Sequence, residues 1–424
     1  MNNLISDNKV KFLFLTIIIL FSFYRSPYIF LNGRFFAEEG YVYLQNAFDL
    51  GFFKNIFFVE LEAGYINLVA NLLIGLAVKI PIENAPYVTV YGSFFFILTP
   101  IYLILFRHSV LFDNNLKKFT GVLIFFVSTP LVPEIWLNSI NLQVYLCLSS
   151  IIVLFINETK LFQKLFNSFI IFLGSFSGIY TCALTPFFLI KFLKMKNNYN
   201  LANLIVLIIG SFVQIFLIIN SKINFHLSST VLKIDTTIES ILLFFYNIIV
   251  RPITGREIGT FIFERINEKF SLILILSIFL FLLTLIFFSY RKKFLFFFRN
   301  DFILLTLSSI FIVISLIIIF GSIGSYYGGR YATIPGIIFI LIIFHLAFKT
   351  VQIKRLLFSS ILIISIISGI NEFRPYDKES SYGLKLLECL NCPEWKNEIS
   401  KWKKDNNYEI KIWPYPRKTM KLNI

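Results

Sequence analysis

KFLFLTIIILFSFYRSPYIFL, residues 11–31, is the first long apolar run of the chain, and Lys9 and Lys11 stand at its start. About 20 apolar residues are needed for a helix to cross the hydrocarbon core of a bilayer. A secretory signal would be followed by a small-residue cleavage site. Here Arg25, Pro27 and Tyr28 follow, so the run reads as a retained span. Further runs of the same kind lie at 87–106, 119–133, 141–157, 201–220, 270–289, 301–320, 331–348 and 356–370. The stretch 165–190 is broken by Gly174, Gly178 and Pro186 and reads as a bent hairpin of two short helices with Gly174–Gly178 at its tip. Such breaks are tolerated only where the backbone is buried in protein or lines a wet cavity.

Composition agrees with this reading. Of 424 residues 57% are hydrophobic and 18% aromatic, and only 15% are charged, against about a quarter in soluble domains. That excludes a soluble enzyme, a disordered chain and a disulfide-framework protein. The fold class is an all-α polytopic membrane protein. The net charge of +15 is not a nucleic-acid signal, because most of the cations sit in short loops between apolar runs, where they set topology and meet anionic lipid headgroups. Heavy use of Phe, Ile, Lys and Asn with little Ala points to AT-rich coding and a bacterial source.

The positive-inside rule orients the chain. The clusters Arg107/Lys117/Lys118, Lys160/Lys164, Lys191/Lys194/Lys196, Arg291/Lys292/Lys293/Arg299 and Lys349/Lys354/Arg355, with the N-terminal lysines, place 17 cations on one side; the other side, without the C-terminal tail, holds ten. This parity holds only if 64–79 does not cross. Asn67, Asn71, Gly75 and Lys79 recur every four residues and line one face of a helix opposite Leu, Ile and Val. A short helix with a polar stripe belongs in the membrane interface. Residues 32–86 therefore read as one long external loop with interfacial helices. The expectation is about 11 spans in a domain covering 1–370, a second long external loop at 221–269 and an external tail at 371–424. The N-terminus faces the cytoplasm and the C-terminus the periplasm of a bacterial inner membrane.

Cys147 and Cys182 lie in apolar runs and read as small hydrophobes. Cys389 and Cys392 form a C-x-x-C in the tail, too little for a structural zinc site and consistent with a local disulfide outside the cell. No H-E-x-x-H, G-x-S-x-G, Walker loop or paired metal-ligand motif occurs, so no cofactor is implied and a divalent metal has no motif behind it.

Polar residues beside an apolar core are functional candidates. The densest external cluster is Gly33-Arg34-Phe35-Phe36-Ala37-Glu38-Glu39-Gly40-Tyr41. Glu38 and Glu39 are neighbouring carboxylates among aromatic rings, where one should have a raised pKa and one can take a proton from a sugar hydroxyl as it attacks. The alternative is that both simply cap a helix running from Glu38 to Asp49. A second patch contains Glu62 and Tyr65. A third contains Glu134, Trp136, Asn138, Asn141 and Gln143, whose amide and carboxylate groups suit sugar hydroxyls; Trp136 reads as a stacking platform or an interfacial belt residue. A fourth is Gly328-Gly329-Arg330-Tyr331, where a lone Arg at a span mouth either grips a phosphate or anchors at the interface. Arg251 and Arg256 of the 221–269 loop are further phosphate candidates.

An acidic pair just outside the first span, a long external loop with in-plane helices and then many spans resemble the GT-C integral-membrane glycosyltransferases, within them the bacterial O-antigen-modifying or cell-envelope type. The matching pieces are Ala37-Glu38-Glu39-Gly40, Glu62-Ala63-Gly64-Tyr65, Glu134 with Asn138, Asn141 and Gln143, and Gly329-Arg330-Tyr331 with Pro335. Family acidic motifs often include Asp; both positions here are Glu. The resemblance implies transfer of a sugar from a polyprenyl-phosphate donor to a glycan or lipid-linked glycan acceptor at the outer membrane face. Inversion is implied, with Glu38 or Glu39 as general base and with basic and amide groups on the donor phosphate. Two other classes fit the layout: a transporter or flippase of a lipid-linked glycan, and an O-antigen polymerase. A transporter often shows internal repeats and mid-span charges; here the charges sit at span ends.

Overall fold

The computed structural model describes residues 2–60, 64–127, 133–158, 160–221, 246–255, 258, 301–321, 330–373, 392–414 and 418–422. Glu62, Arg256, Cys389, the run 270–289 and Gly328–Gly329 lie outside the described residues. The structure is helical, with two short two-stranded ribbons. Among the described residues four helices are long and apolar enough to cross a membrane: Ile82–Phe106, Asn198–Asn220, Arg330–Lys349 and Gln352–Asn371. The helix Asn2–Arg25 is as long but carries Lys9 and Lys11. The runs read as spans at 119–133 and 141–157 are shorter in the structure, forming helices Asn115–Phe126 and Leu142–Leu154. The first starts where Asn114 caps it by accepting from Lys117 N. The described helices thus fall short of the 11 spans counted from apolar runs.

Membrane character shows in which side chains face outward. On Asn198–Asn220 the exposed residues include Ile205, Ile208, Ile209, Phe212, Ile215, Phe216 and Ile219, whereas Asn200, Asn203 and Gln214 are buried. On Gln352–Asn371, Ile363, Ile364, Ile367 and Ile370 face outward and Ser365 is buried. Such surfaces suit lipid and not water.

The chain forms two compact units. One contains Met1–Ser109, Pro133–Asn224 and Arg374–Ile424; the other contains Val110–Val132 and Phe225–Phe373. In the second unit the helix Arg330–Lys349 is buried along most of its length. Asp301 begins the neighbouring helix Phe302–Gly321, accepting from Leu304 N at 3.1 Å and pairing with His345 and Lys349.

In the first unit the helix Ala85–Phe106 has 22 residues, about 33 Å of rise, and its two ends carry different chemistry. At its C-terminal end Arg107 pairs with Glu158 at 3.5 Å, and Lys191 donates to the carbonyls of Val153 and Ile156. That contact returns the end of helix Thr185–Met195 to the end of Leu142–Leu154. The chain therefore does reverse between 165 and 190, with an added short turn at Ile179–Cys182. Gly178 at the tip has φ +118°, so the backbone favours glycine there, and it packs against the end of the Gln143 side chain.

At the opposite end the segments read as external come together. The tip residue Ser177 accepts from Val69 N, and Gln214 bonds both backbone groups of Ile66. The helix Leu68–Ala77 has ten residues, about 15 Å, too short to cross. The exposed polar stripe expected of it is corrected: Asn67 and Asn71 are buried. Asn67 caps the helix and donates to Ile140 O, and Asn71 donates to Ile56 O and Phe58 O. The stripe is polar because it satisfies loop carbonyls, while Gly75 makes room for the Phe52 ring.

The tail folds onto this same end. Helix Trp395–Lys404 presents Trp395, Ile399 and Trp402 on one face, all buried. Trp395 Nε1 donates to Ile82 O at 2.7 Å and its ring meets Phe35 edge-on, while Lys403 pairs with Glu83. A ribbon of Ile410–Lys411 with Thr419–Met420 follows. Cys147 and Cys182 are free, as expected of small hydrophobes, and Cys392 is disulfide-bonded and packs with Phe36, Ala37 and Trp413. Because the tail and the segment leading into helix Leu161–Ser175 sit at different ends of the 22-residue helix, Lys396→Cys and Lys160→Cys are expected to react with an impermeant thiol reagent from opposite sides of the membrane. Reaction of both from one side would refute that arrangement.

Candidate active site

The acidic turn is built tightly. Gly33 opens it at φ +66°, and Ala37, with φ +49°, holds a left-handed conformation that costs a non-glycine residue about 1–2 kcal/mol. The tail holds it there: Ala37 N donates to Trp413 O at 2.6 Å and Phe36 pairs with Trp413. Glu39 then starts a π-helix, Glu39–Leu44, which runs into helix Gln45–Leu50. A second left-handed non-glycine residue, Leu137 at φ +51°, stands in the 133–141 loop. Strain of this kind concentrates at functional sites; of the four left-handed non-glycine residues described, Ala37 and Leu137 flank one junction, while Lys196 and Gln352 stand at helix ends elsewhere.

That junction is Glu39 with Ser139. Glu39 is fully buried. Its Oε1 accepts from Ser139 N at 2.9 Å and Ser139 Oγ at 2.5 Å, and its Oε2 accepts from Phe36 N at 3.1 Å. Burial pushes its pKa up, against the pull of the Ser139 and Phe36 hydrogen bonds and of the Arg34 charge. Arg34 is 2% exposed. Its guanidinium lies 4.6 Å from the Phe36 ring and 5.2 Å from the Trp413 ring, and Nη2 donates to Trp136 O. Nε and Nη1 have no acceptor among the described residues. Burial draws its pKa down to about 10, with Glu39 opposing.

Glu38 is placed differently. It is half-buried, and its Oε1 accepts from the Tyr41 hydroxyl at 3.1 Å. Tyr41 in turn meets Lys418 of the tail. Tyr43, on the same π-helix, has its pKa pushed well up by burial and further by Tyr65, Glu60 and Glu38. Tyr65 and Glu60 face each other across the ribbon Val59–Glu60/Tyr65–Ile66. Tyr28 stacks on Trp413 at 5.9 Å. The turn therefore offers one accessible carboxylate, Glu38, among aromatic rings and next to a buried Arg–Glu couple.

The other sequence candidates divide. Tyr65, like Glu38, acts electrostatically on the buried Tyr43 hydroxyl. Asn138 and Asn141 are buried and bond within their own loop, Asn138 Oδ1 accepting from Ile140 N and Asn141 Nδ2 donating to Glu134 O. Gln143 packs on Gly178. Trp136 is neither a stacking platform nor a belt residue. It is 1% exposed, donates to Ser26 Oγ at 2.8 Å and carries Arg25 over its ring. Arg330, whose Nη2 donates to the Tyr331 hydroxyl at 3.3 Å, and Arg251, which donates to Asn247 Oδ1, belong to the other unit.

Sequence reasoning passed over Arg34, Ser139, Tyr41, Trp413 and Lys418 as functional residues. Arg34 and Tyr41 were within reach, since they stand in the acidic motif itself. Ser139 and the tail residues carry no local signal. Among the described residues no three of His, Cys, Asp and Glu gather as metal ligands. No family model matches the chain, and no curated protein and no solved structure is similar to it.

Proposed function

We propose that this protein is an integral-membrane glycosyltransferase that moves a sugar from a polyprenyl-phosphate donor to a cell-envelope glycan at the outer face of a bacterial inner membrane. The observation that carries the reading is the division of labour in the acidic pair. Glu39 is buried under three hydrogen bonds, and Glu38 beside it is accessible with one oxygen engaged. A fixed carboxylate with a free oxygen is what a general base requires. Glu38 takes the proton of the acceptor hydroxyl as that oxygen bonds to the anomeric carbon. The bond from that carbon to the donor phosphate oxygen breaks, and polyprenyl phosphate leaves with the electron pair. Attack opposite the leaving group inverts the anomeric centre. Tyr28, Tyr41 and Tyr65 supply the aromatic and hydroxyl surface that sugars favour.

For the donor phosphate, the unit that holds Glu38 has Arg34, a planar fork suited to phosphate oxygens. Arg330, Tyr331 and Arg251, which the resemblance also implies for the donor phosphate, belong to the other unit and are not counted in this site.

The reading is tested by deleting the gene and comparing envelope glycans by mass spectrometry. A glycan lacking one sugar substituent, with its polyprenyl-phosphate donor accumulating, is the expected result. Accumulation of a complete lipid-linked glycan on the cytoplasmic side would favour a flippase, and unpolymerised repeat units a polymerase.

A further inference from the structure

We propose that Lys418, in the C-terminal segment, is a positioning residue of the Glu38 site and acts through Tyr41. It fixes the direction of the Tyr41 hydroxyl and so presents Glu38 with one oxygen bonded and the other free. The inference rests on the reading of Glu38 as the base.

The two ends of this contact lie 377 residues apart in sequence. Lys418 stands just before strand Thr419–Met420, where Ile412 N donates to its carbonyl at 3.2 Å. The ribbon is held to the acidic turn by Trp413, whose carbonyl accepts from Ala37 N. Ile412 packs so closely that a Cβ on Gly40 would stand 2.7 Å from its Cδ1. The anchored ribbon carries Lys418 Nζ to 3.0 Å from the Tyr41 hydroxyl and 4.3 Å from the Tyr41 ring centroid.

The direction of each hydrogen bond follows from the groups themselves. A lysine ammonium has three donors and no acceptor, whereas a phenol has one donor and can also accept. In the Lys418 contact the Tyr41 oxygen must therefore accept. Its own proton is left for Glu38 Oε1, 3.1 Å away. A carboxylate oxygen takes that proton as acceptor, and among the described residues Oε2 of Glu38 accepts no hydrogen bond. Without Lys418 the hydroxyl is free to turn, and Glu38 loses both its orienting donor and the cation behind it. The charged or titratable groups around Glu38 are Tyr41, Lys418, Tyr43 with Tyr65 and Glu60 beyond it, and the Glu39–Arg34 couple on its own turn. Of these, Lys418 is contributed by the tail, and it reaches Glu38 through one hydroxyl.

The test needs no knowledge of the sugar. A carbodiimide with an excess of amine converts carboxyl groups that are open to the reagent into amides, and peptide mass spectrometry locates the adduct. The full-length protein in detergent is labelled at one fixed pH. Lys418→Met and Tyr41→Phe are each expected to raise labelling of Glu38 about tenfold, the scale of losing the hydrogen bond that occupies Oε1. Lys418→Arg, which keeps a cationic donor, is expected to stay near the wild type. Glu83 is the internal control, because its partner Lys403 sits on the same tail. Unchanged Glu38 labelling in both Lys418→Met and Tyr41→Phe overturns the proposal. So does an equal rise at Glu83 in Lys418→Met, which means that the tail has merely come away. Turnover does not enter this measurement. If labelling responds as expected while Glu38→Gln keeps its activity, the Lys418–Tyr41–Glu38 contact stands and the transferase reading falls.

Discussion

Glu38→Gln is expected to lower sugar transfer by about 10²–10⁴-fold, the usual contribution of a general base, while the protein stays folded. Gln keeps the size of the side chain, and its amide oxygen can still accept from Tyr41, so the contact seen at Oε1 survives. What is lost is the ability to hold a proton. The half-buried setting of Glu38 predicts a small effect on stability, so a large fall in turnover with an unchanged thermal midpoint is the signature to look for. The measurement is transfer from a polyprenyl-phosphate sugar by purified protein, with the wild type in parallel. Near-normal turnover in Glu38→Gln, in Glu39→Gln and in the double variant would end the mechanism and move the flippase reading ahead.

Glu39→Ala is expected to act on stability instead, because it strips three buried donors of their acceptor, the Phe36 and Ser139 backbone N–H groups and the Ser139 hydroxyl. Each buried donor left unsatisfied costs about 1–3 kcal/mol. Glu39→Gln is a finer probe. Its oxygen can serve Ser139, but its amide N–H₂ then faces Phe36 N–H, a donor against a donor, costing about 1–3 kcal/mol. The pH dependence has a defined sign. Burial raises the pKa of Glu39, so the folded state holds this proton more tightly than the unfolded chain. The resulting stabilisation is fully present below the ordinary carboxylate range and is lost as pH rises through the raised value. Thermal unfolding of the wild type should show that loss, and Glu39→Gln, which cannot titrate, should lack it. A flat difference between the two across pH would contradict the upward shift that burial gives Glu39.

Much of the architecture was legible because a bilayer imposes one-dimensional rules. A helix that faces lipid must be apolar over a long run, and Asn198–Asn220 and Gln352–Asn371 are visible as such in the sequence. The break at Gly174–Gly178 was legible because Gly178 occupies a conformation that suits glycine. The position of the acidic turn was legible because two adjacent carboxylates beside a span are costly wherever they sit.

Periodicity misled where it reports only that a face is different, and not what the face meets. Asn67 and Asn71 form a polar stripe whether they touch water or buried carbonyls, and the structure chose carbonyls. The same limit applied to Trp136, whose ring and N–H suit a membrane interface but lie in the core against Arg25 and Ser26. Apolar length also overstated the helix at 141–157, because Phe155 and Ile156 lie beyond its end and pack inward, and such loop residues are as apolar as helix residues.

By itself, then, the sequence determined a helical membrane protein and drew attention to Glu38 and Glu39, since burial of apolar surface and the cost of charge near lipid act residue by residue along the chain. Only the tertiary structure decided which carboxylate is buried and which is open. That choice is made by Ser139, 100 residues away, whose N–H and hydroxyl hold Glu39 inside. Only the tertiary structure brought Trp413 and Lys418 to the acidic turn. Hydrogen bonds and ring contacts between such distant residues depend on angstrom-scale placement after folding, and leave no periodic trace in the order of the amino acids.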